Sequence, residues 1–237
     1  MSAGKGRFLR TLLVAAVLLI ITAYPVQAAY KKRTSKCSWV FVGDSYITHR
    51  KSGGVVDFLV KKMGLSPENY RNISYSGYGY VGKKVDGTRS IMPAFAGLRQ
   101  DIHIRKVLIM LGPWNDCTVP KSQLKAAMNR FFDRLEDIYP NADFYYAIPH
   151  WHANWVLSDP ASESEAVAYQ DIVMKRIPWY KSVCKAHGIK FLTDVTNVLR
   201  RPNNEKYFSD DGHHPSYAGR KRIAKRLAKA LKAAGAY

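Results

Sequence analysis

The sequence predicts an α/β fold of three layers, in which a five-stranded parallel sheet is covered by helices on both faces. Two observations carry this prediction. Short apolar runs alternate along the chain with longer segments whose apolar residues recur at helical spacing. The length of 237 residues, 47% of them apolar, suits one hydrophobic core rather than two. We therefore expect one α/β domain.

The five predicted strands are short and mostly apolar, as strands buried on both faces usually are. The clearest is the run from Lys106 to Leu111, and the first strand is followed directly by Gly43. The full set covers residues 38–42, 70–75, 106–111, 143–148 and 189–192. Because a helical segment separates successive strands, they should run parallel and present ligand sites at their carboxyl ends.

Five helices are predicted between and after these strands. The first has its apolar residues on one face and is followed by Gly64. Pro93 and Gly97 interrupt the second, and Pro178 interrupts or bends the fourth. The full set covers residues 55–63, 88–99, 122–139, 163–186 and 216–234.

The first 28 residues read as a signal peptide. Lys5, Arg7 and Arg10 precede an apolar run that is shorter than the roughly 20 residues of a membrane span. The small residues Val26 and Ala28 suit cleavage near Ala28. An uncleaved anchor is the alternative.

Residues 29–37 are predicted to form a basic linker, and residues 38–237 the folded domain. The domain has no second apolar stretch of spanning length. The expectation is a protein exported to the medium or the cell wall, without a transmembrane segment in its mature form.

The formal net charge is +19, and the leader supplies three of these charges, which leaves +16 on the mature chain. Such a field attracts anionic surfaces. For an exported chain we expect cell-wall polymers, anionic glycans or lipid headgroups rather than nucleic acid. The last predicted helix carries many of the cations, although its basic face is equally consistent with simple solvation: Arg220, Lys221, Arg222, Lys225, Arg226, Lys229 and Lys232.

The three cysteines, Cys37, Cys117 and Cys184, do not form a disulfide framework. None has the CxxC spacing of a redox or zinc site. An odd number leaves at least one thiol outside any disulfide within the chain.

Polar motifs follow three of the predicted strands. Ser45 comes after the first strand in Gly-Asp-Ser, Gly77 after the second, and Asn115 after the third. A glycine lets its N–H approach a ligand closely, and an asparagine amide can donate into the same crevice. Taken singly, each segment is equally consistent with a helix cap or a turn.

A fourth motif, Asp210 to Pro215, precedes the last helix. An Asp three residues before a His can bond the imidazole and fix its tautomer, which leaves the other ring nitrogen to take a serine proton. Asp211 and His214 have this spacing, as do Asp210 and His213.

Together these segments resemble the four sequence blocks of the SGNH (GDSL-like) hydrolase family, in the family's order and across the whole predicted domain. The resemblance implies a flavodoxin-like three-layer sheet and a catalytic triad of Ser45, Asp211 and His214. It also implies an oxyanion hole formed by the N–H groups of Ser45 and Gly77 and the side chain of Asn115. Neither a metal nor an organic cofactor is implied.

The chain departs from the family's pattern in the third block, where Pro113 replaces the usual glycine. Pro fixes φ and lacks an N–H, so the loop there can differ in shape. Gly79 is an alternative to Gly77 as an oxyanion donor. His214 is preferred to His213 because it directly precedes Pro215, as in the family.

Other motifs have weaker interpretations. Gly77 to Gly82 matches GxGxxG, but no helix is predicted to begin there, which argues against a dinucleotide site. His150 and His152 form an HxH pair without a clear third metal ligand. No GxSxG elbow is present. Candidate substrate contacts, with plain packing as the alternative, are Asp44, Trp114, His150, Trp151 and Trp155.

The sequence therefore predicts a secreted serine esterase that acts on short O-acyl groups, with cell-wall or extracellular carbohydrate as the favoured substrate. Two alternatives stay open: an O-acyltransferase with the same triad, and a non-catalytic cationic module that binds glycans or cell wall.

Overall fold

The computed structural model describes residues 37–48, 53–82, 88–151, 163–200 and 203–237, without the side chains of residues 163–169. The predicted signal peptide, nearly all of the linker, His152 and Trp155 lie outside these residues. From Ser38 onward the described residues form one compact unit. No helix among them is long and apolar enough to cross a membrane.

A five-stranded sheet, parallel throughout, forms the centre of the molecule. Its strands are β1 (Trp39–Gly43), β2 (Tyr70–Ser74), β5 (Lys106–Met110), β6 (Asp143–Tyr146) and β7 (Lys190–Phe191). They lie in the order β2-β1-β5-β6-β7. The predicted α/β class and all five predicted strands are confirmed, with ends that differ by one or two residues.

The register of the sheet places the ends of three strands side by side. Gly43, the last residue of β1, pairs with Ser74 of β2 and with Met110 of β5. The chain segments that follow these three strands therefore leave the sheet at the same edge, where parallel sheets place their ligand sites.

Helices cover both faces of the sheet. They are α1 (Val55–Met63), α2 (Met92–Ala96), α3 (Lys121–Ile138), α4 (Glu163–Ala186) and α5 (Tyr217–Ala233). Tyr145 of β6 belongs to the core that also contains side chains of α1 and α5. Its neighbour Tyr146 meets Phe132 of α3 and Tyr180 of α4. Because adjacent strand residues point to opposite faces, α1 and α5 cover one face and α3 and α4 the other.

The second helix is shorter than its prediction over residues 88–99. It covers only Met92–Ala96, with Pro93 in its first turn, where a missing N–H costs nothing, and Gly97 directly after it. Arg89–Ser90 instead forms β4, which pairs in parallel with β3 (Tyr78–Gly79). A ladder of two residues is too short to leave a periodic signal in sequence.

Candidate active site

Ser45 lies in a tight turn directly after β1. The carbonyl of Asp44 accepts N–H bonds from Ile47 at 3.2 Å and Thr48 at 3.1 Å, and the Asp44 carboxylate accepts the Tyr46 N–H at 3.1 Å. Of the two local roles open to this segment, a helix cap or a turn, the structure shows the turn: α1 begins only at Val55, so the turn itself positions the hydroxyl.

His214 is held by the loop that precedes α5. Its Nδ1 lies 2.7 Å from Asp211 Oδ2, and Asp211 Oδ1 accepts the backbone N–H groups of His213 and His214 at 2.9 and 2.8 Å. Gly212 permits this tight loop with a φ of +62°. Because an ionised carboxylate can only accept, Nδ1 carries the ring proton and Nε2 is left as an acceptor.

The structure brings Ser45 and His214 together although 169 positions separate them in the chain. The distance from Ser45 Oγ to His214 Nε2 is 2.9 Å, which is a hydrogen bond. The hydroxyl, the imidazole and the carboxylate therefore form one continuous chain of hydrogen bonds. Such a chain allows the imidazole to remove the serine proton while the carboxylate stabilises the resulting imidazolium.

The carboxyl group of Asp211 is strongly acidic in this setting. Partial burial opposes its ionisation, but the N–H groups of His214 and His213 and the imidazole of His214 outweigh that effect and lower its pKa to about 2. Asp211 is therefore a permanent anion at neutral pH, as the partner of a general base must be.

Gly77 and Asn115 lie close together through a shared contact. The Asn115 side-chain amide donates to the carbonyl of Tyr78 at 2.7 Å, directly beside Gly77. Gly77 is exposed and has a φ of +75°, a conformation that favours glycine. The contact brings the side-chain amide of Asn115 to the turn that contains Gly77; the shared role of the two groups as oxyanion donors stays a prediction.

Gly79, the alternative oxyanion donor, is a buried residue that packs against a carboxylate. A Cβ on Gly79 would lie 2.7 Å from the carboxylate oxygens of Asp116. That buried carboxylate accepts the N–H groups of Tyr80 at 2.8 Å and Val81 at 3.0 Å. Gly79 is required for packing against this carboxylate, so Gly77 remains the better candidate for the oxyanion hole.

Asp44 connects two of the loops that form the site. Its carboxylate accepts the N–H of Gly112, after β5, at 3.0 Å, and lies 3.5 Å from Nε2 of His150, after β6. Burial raises the pKa of Asp44, but the neighbouring imidazole of His150 and the N–H groups of Gly112 and Tyr46 outweigh this, and the net pKa is lowered. Gly112, the residue directly before Pro113, has a φ of +98°, a backbone conformation that favours glycine.

Three of the predicted substrate contacts are buried and make contacts within the protein. Asp44 and His150 are each 1% exposed and face one another, and the Trp151 indole N–H donates to the buried Thr196 carbonyl at 2.6 Å. These contacts lie within the protein, and a role of the three side chains in binding substrate stays a prediction. Trp114 is 9% exposed and packs edge-on against His213, the neighbour of His214.

Tyr46 is a site residue that the sequence did not reveal. Its hydroxyl lies 2.8 Å from the carbonyl of His213 and 3.1 Å from that of Trp151, and its ring centre lies 4.0 Å from that of His150, with the two rings tilted by 33°. It therefore joins the serine turn to the histidine loop. Nothing in a single sequence links a tyrosine to a carbonyl 167 residues away.

The cysteines and one group of possible metal ligands complete the chemically reactive side chains of the described residues. All three cysteines are buried thiols, and burial raises the pKa of Cys184 to about 12. In the part of the chain that the structure describes, one group of side chains has the spacing of a metal site, and it lies between α3 and α4: Asp133, Glu136 and His187.

No family model and no curated protein matches the sequence. Several solved structures, however, are similar to the structure of this chain. A lipase/acylhydrolase from Enterococcus faecalis aligns over 83% of this chain and 96% of its own, with 16% identity and a TM-score of 0.53. A carbohydrate acetylesterase from Sinorhizobium meliloti aligns over 85% and 100%, with 17% identity and a TM-score of 0.55.

A carbohydrate esterase family 2 enzyme with a carbohydrate-binding domain, from Myceliophthora fergusii, aligns over 85% of this chain and 67% of its own, with 18% identity and a TM-score of 0.55. The chain has the SGNH hydrolase fold. Identities this low relate the chain to these proteins by fold, so its chemistry has to be argued from its own side chains.

Proposed function

We propose that the protein is a serine ester hydrolase whose triad is Ser45, His214 and Asp211. The observation that carries this proposal is the pair of contacts made by His214, 2.9 Å from its Nε2 to Ser45 Oγ and 2.7 Å from its Nδ1 to Asp211. A glycan-binding module would have no use for this aligned chain of groups, which is what nucleophilic catalysis requires.

The reaction proceeds in two steps. Ser45 Oγ attacks the ester carbonyl as its proton passes to Nε2 of His214, and the resulting oxyanion accepts hydrogen bonds from Ser45 N–H, Gly77 N–H and the Asn115 amide. Collapse of this intermediate expels the alcohol, which takes the proton from His214 and leaves the acyl group on Ser45. A water molecule deprotonated by His214 then attacks the acyl carbon, releases the carboxylic acid and restores the serine.

The substrate class that we propose is short O-acyl esters, such as acetyl groups, on extracellular or cell-wall carbohydrate. Two structural neighbours are described as carbohydrate esterases, and the chain is strongly cationic, which favours contact with acidic polymers. Secretion through cleavage near Ala28 is part of the same proposal. It is tested by reading the N-terminal sequence of protein recovered from culture medium.

The test is the hydrolysis of p-nitrophenyl acetate, butyrate and octanoate by wild type and by Ser45→Ala. Wild type should release p-nitrophenol, fastest from the acetate, and Ser45→Ala should lose about 10³-fold or more in kcat. Ser182→Ala, which removes an exposed serine hydroxyl on α4, is the matched control and should keep wild-type activity. If no ester is turned over in a Ser45-dependent way, the hydrolase proposal fails and the binding module is favoured.

An O-acyltransferase would use the same triad but deliver the acyl group to a sugar hydroxyl instead of water. Adding a soluble oligosaccharide acceptor to the acetate assay and analysing it by mass spectrometry separates the two. We expect free acetate as the product and no acetylated acceptor.

A further inference from the structure

A concave basic site lies along α5, the helix that follows the loop carrying Asp211 and His214. Its volume is about 510 Å³. It lies between one face of α5 and the segment that follows β7, and we call it the α5 cleft. Its lining residues are Asp194, Asn197, Val198, Arg222, Lys225, Arg226 and Lys229.

The α5 cleft carries four cations and one acid, a formal charge of +3. The acid, Asp194, lies 3.6 Å from Arg226. Arg222 lies three and four residues before Lys225 and Arg226, and Lys229 lies four and three residues after them, so the four cations share one face of the helix. Like charges at these spacings repel one another, and a bound anion would relieve that repulsion.

Two of the four cations are already held in place. Arg222 donates from Nε to the Val198 carbonyl at 2.7 Å, and its guanidinium lies 4.6 Å from the ring centre of Tyr207. Arg226 donates from Nε to the Asp194 carbonyl at 2.9 Å. Anchored guanidinium groups lose little conformational entropy when they bind carboxylate or phosphate, which raises affinity.

We propose that the α5 cleft binds a segment of an acidic polysaccharide. Arginine and lysine recognise carboxylate, sulfate or phosphate groups, and the Asn197 amide suits the sugar hydroxyls between them. The site is a binding surface separate from the triad. Arg222 and Lys229 lie about 8 and 18 Å along the axis from the first residue of α5, at 1.5 Å per residue, so the cleft extends away from His214.

Two other partner classes fit the α5 cleft less well. Single-stranded nucleic acid is usually bound by aromatic rings that stack on its bases, and the lining residues that the structure describes include none. A helix that binds a membrane needs an exposed apolar face beside its basic one. The aliphatic residues Ile223, Leu227 and Leu231 of α5 are instead buried in the core, and its exposed Tyr217 packs edge-on against Phe58.

The test compares two double variants that remove equal charge. Lys225→Gln/Lys229→Gln changes the α5 cleft, and Lys175→Gln/Lys185→Gln changes two exposed lysines on α4, on the other face of the sheet. Binding to polygalacturonate and to dextran sulfate is measured by calorimetry at low salt, with neutral dextran as the uncharged reference. Circular dichroism melting shows whether each variant is folded.

The wild type should bind both acidic polymers and not neutral dextran. The cleft variant should bind about tenfold more weakly or worse, while the α4 variant should stay within about threefold of wild type. Equal weakening in both variants would show that only net charge matters and would overturn the proposal. So would tighter, cleft-dependent binding to phosphatidylglycerol vesicles or to oligodeoxythymidine. None of these outcomes depends on esterase activity.

Discussion

At the scale of single residues, three features decide whether a serine can react: a proton acceptor, a fixed carboxylate and hydrogen-bond donors for the developing oxyanion. Asp211 illustrates how the local backbone supplies the second. One of its oxygens is held by two N–H groups of its own loop, and the other faces the imidazole. The carboxylate thus orients His214 without needing any distant partner.

The low pKa of Asp211 predicts a particular pH dependence of stability. Folding lowers this pKa from 3.8 to about 2, so the carboxylate stabilises the folded state above pH 4, and that contribution disappears as the pH falls through this interval. Asp211→Asn should therefore be less stable than wild type at neutral pH, and the difference should shrink between about pH 4 and pH 2. Urea unfolding across this range measures it. A difference that stays constant would contradict the assigned contacts.

The amide of Asn115 predicts a selective loss in catalysis. Replacing Asn115 by Ala should lower kcat by about 10²–10³-fold with a small change in KM, because an oxyanion donor acts mainly in the transition state. Asn129→Ala, on α3, removes an amide elsewhere and should leave both constants unchanged. Steady-state kinetics with p-nitrophenyl acetate decides the matter. If KM rises and kcat does not fall, Asn115 binds substrate instead.

At the scale of elements, the site depends on how three loops are joined at one edge of the sheet. Asp44 bonds the turn after β1 to Gly112 after β5, and Tyr46 bonds the same turn to the loop before α5. The first link is buried and the second is partly buried. They explain how segments far apart in sequence reach hydrogen-bonding distance.

Removal of the Tyr46 hydroxyl tests the second link. Tyr46→Phe leaves the carbonyls of His213 and Trp151 without this donor, which should cost about 1–3 kcal/mol of unfolding free energy. We also expect kcat to fall more than KM changes, because His214 loses its fixed position. Tyr217→Phe, an exposed tyrosine on α5, is the control for urea unfolding and kinetics. Unchanged stability and kcat in Tyr46→Phe would remove Tyr46 from the site.

Gly43 tests the close packing at the end of β1. A Cβ there would lie 2.5 Å from the Met110 carbonyl and from Ile47, so Gly43→Ala should cost about 1–3 kcal/mol and displace the serine turn. Gly97→Ala is the matched control, since a Cβ at Gly97 meets no atom within 4 Å. Thermal melting and kcat should both fall for Gly43→Ala only. Equal effects in the two variants would show that the close contact does not matter.

The sequence predicted these elements well where apolar periodicity was strong. The five strands and the helices over residues 55–63 and 122–139 lie within two residues of their predicted positions. The burial of individual side chains at the site could not be predicted in the same way. Asp44 and His150 follow strands, which places them at the correct edge of the sheet, but their burial depends on each other and on Tyr46, contacts that exist only in the folded chain.

At the scale of the whole molecule, topology creates the site. The strand order sets β1 between β2 and β5, so the segments carrying Ser45, Gly77 and Asn115 leave adjacent strands at one edge. The last loop then brings His214 to them before α5 packs against α1. The order of the blocks was visible in sequence, and their meeting point follows from the parallel sheet.

The central claim is that His214 activates Ser45, and covalent labelling with a fluorophosphonate tests it most directly. The reagent reacts with activated serines and can be located by peptide mass mapping. We predict one label per chain, on Ser45, and a labelling rate that falls by about 10²-fold or more in His214→Ala but not in His213→Ala. A label on another serine, no label at all, or an unchanged rate in His214→Ala would contradict the claim.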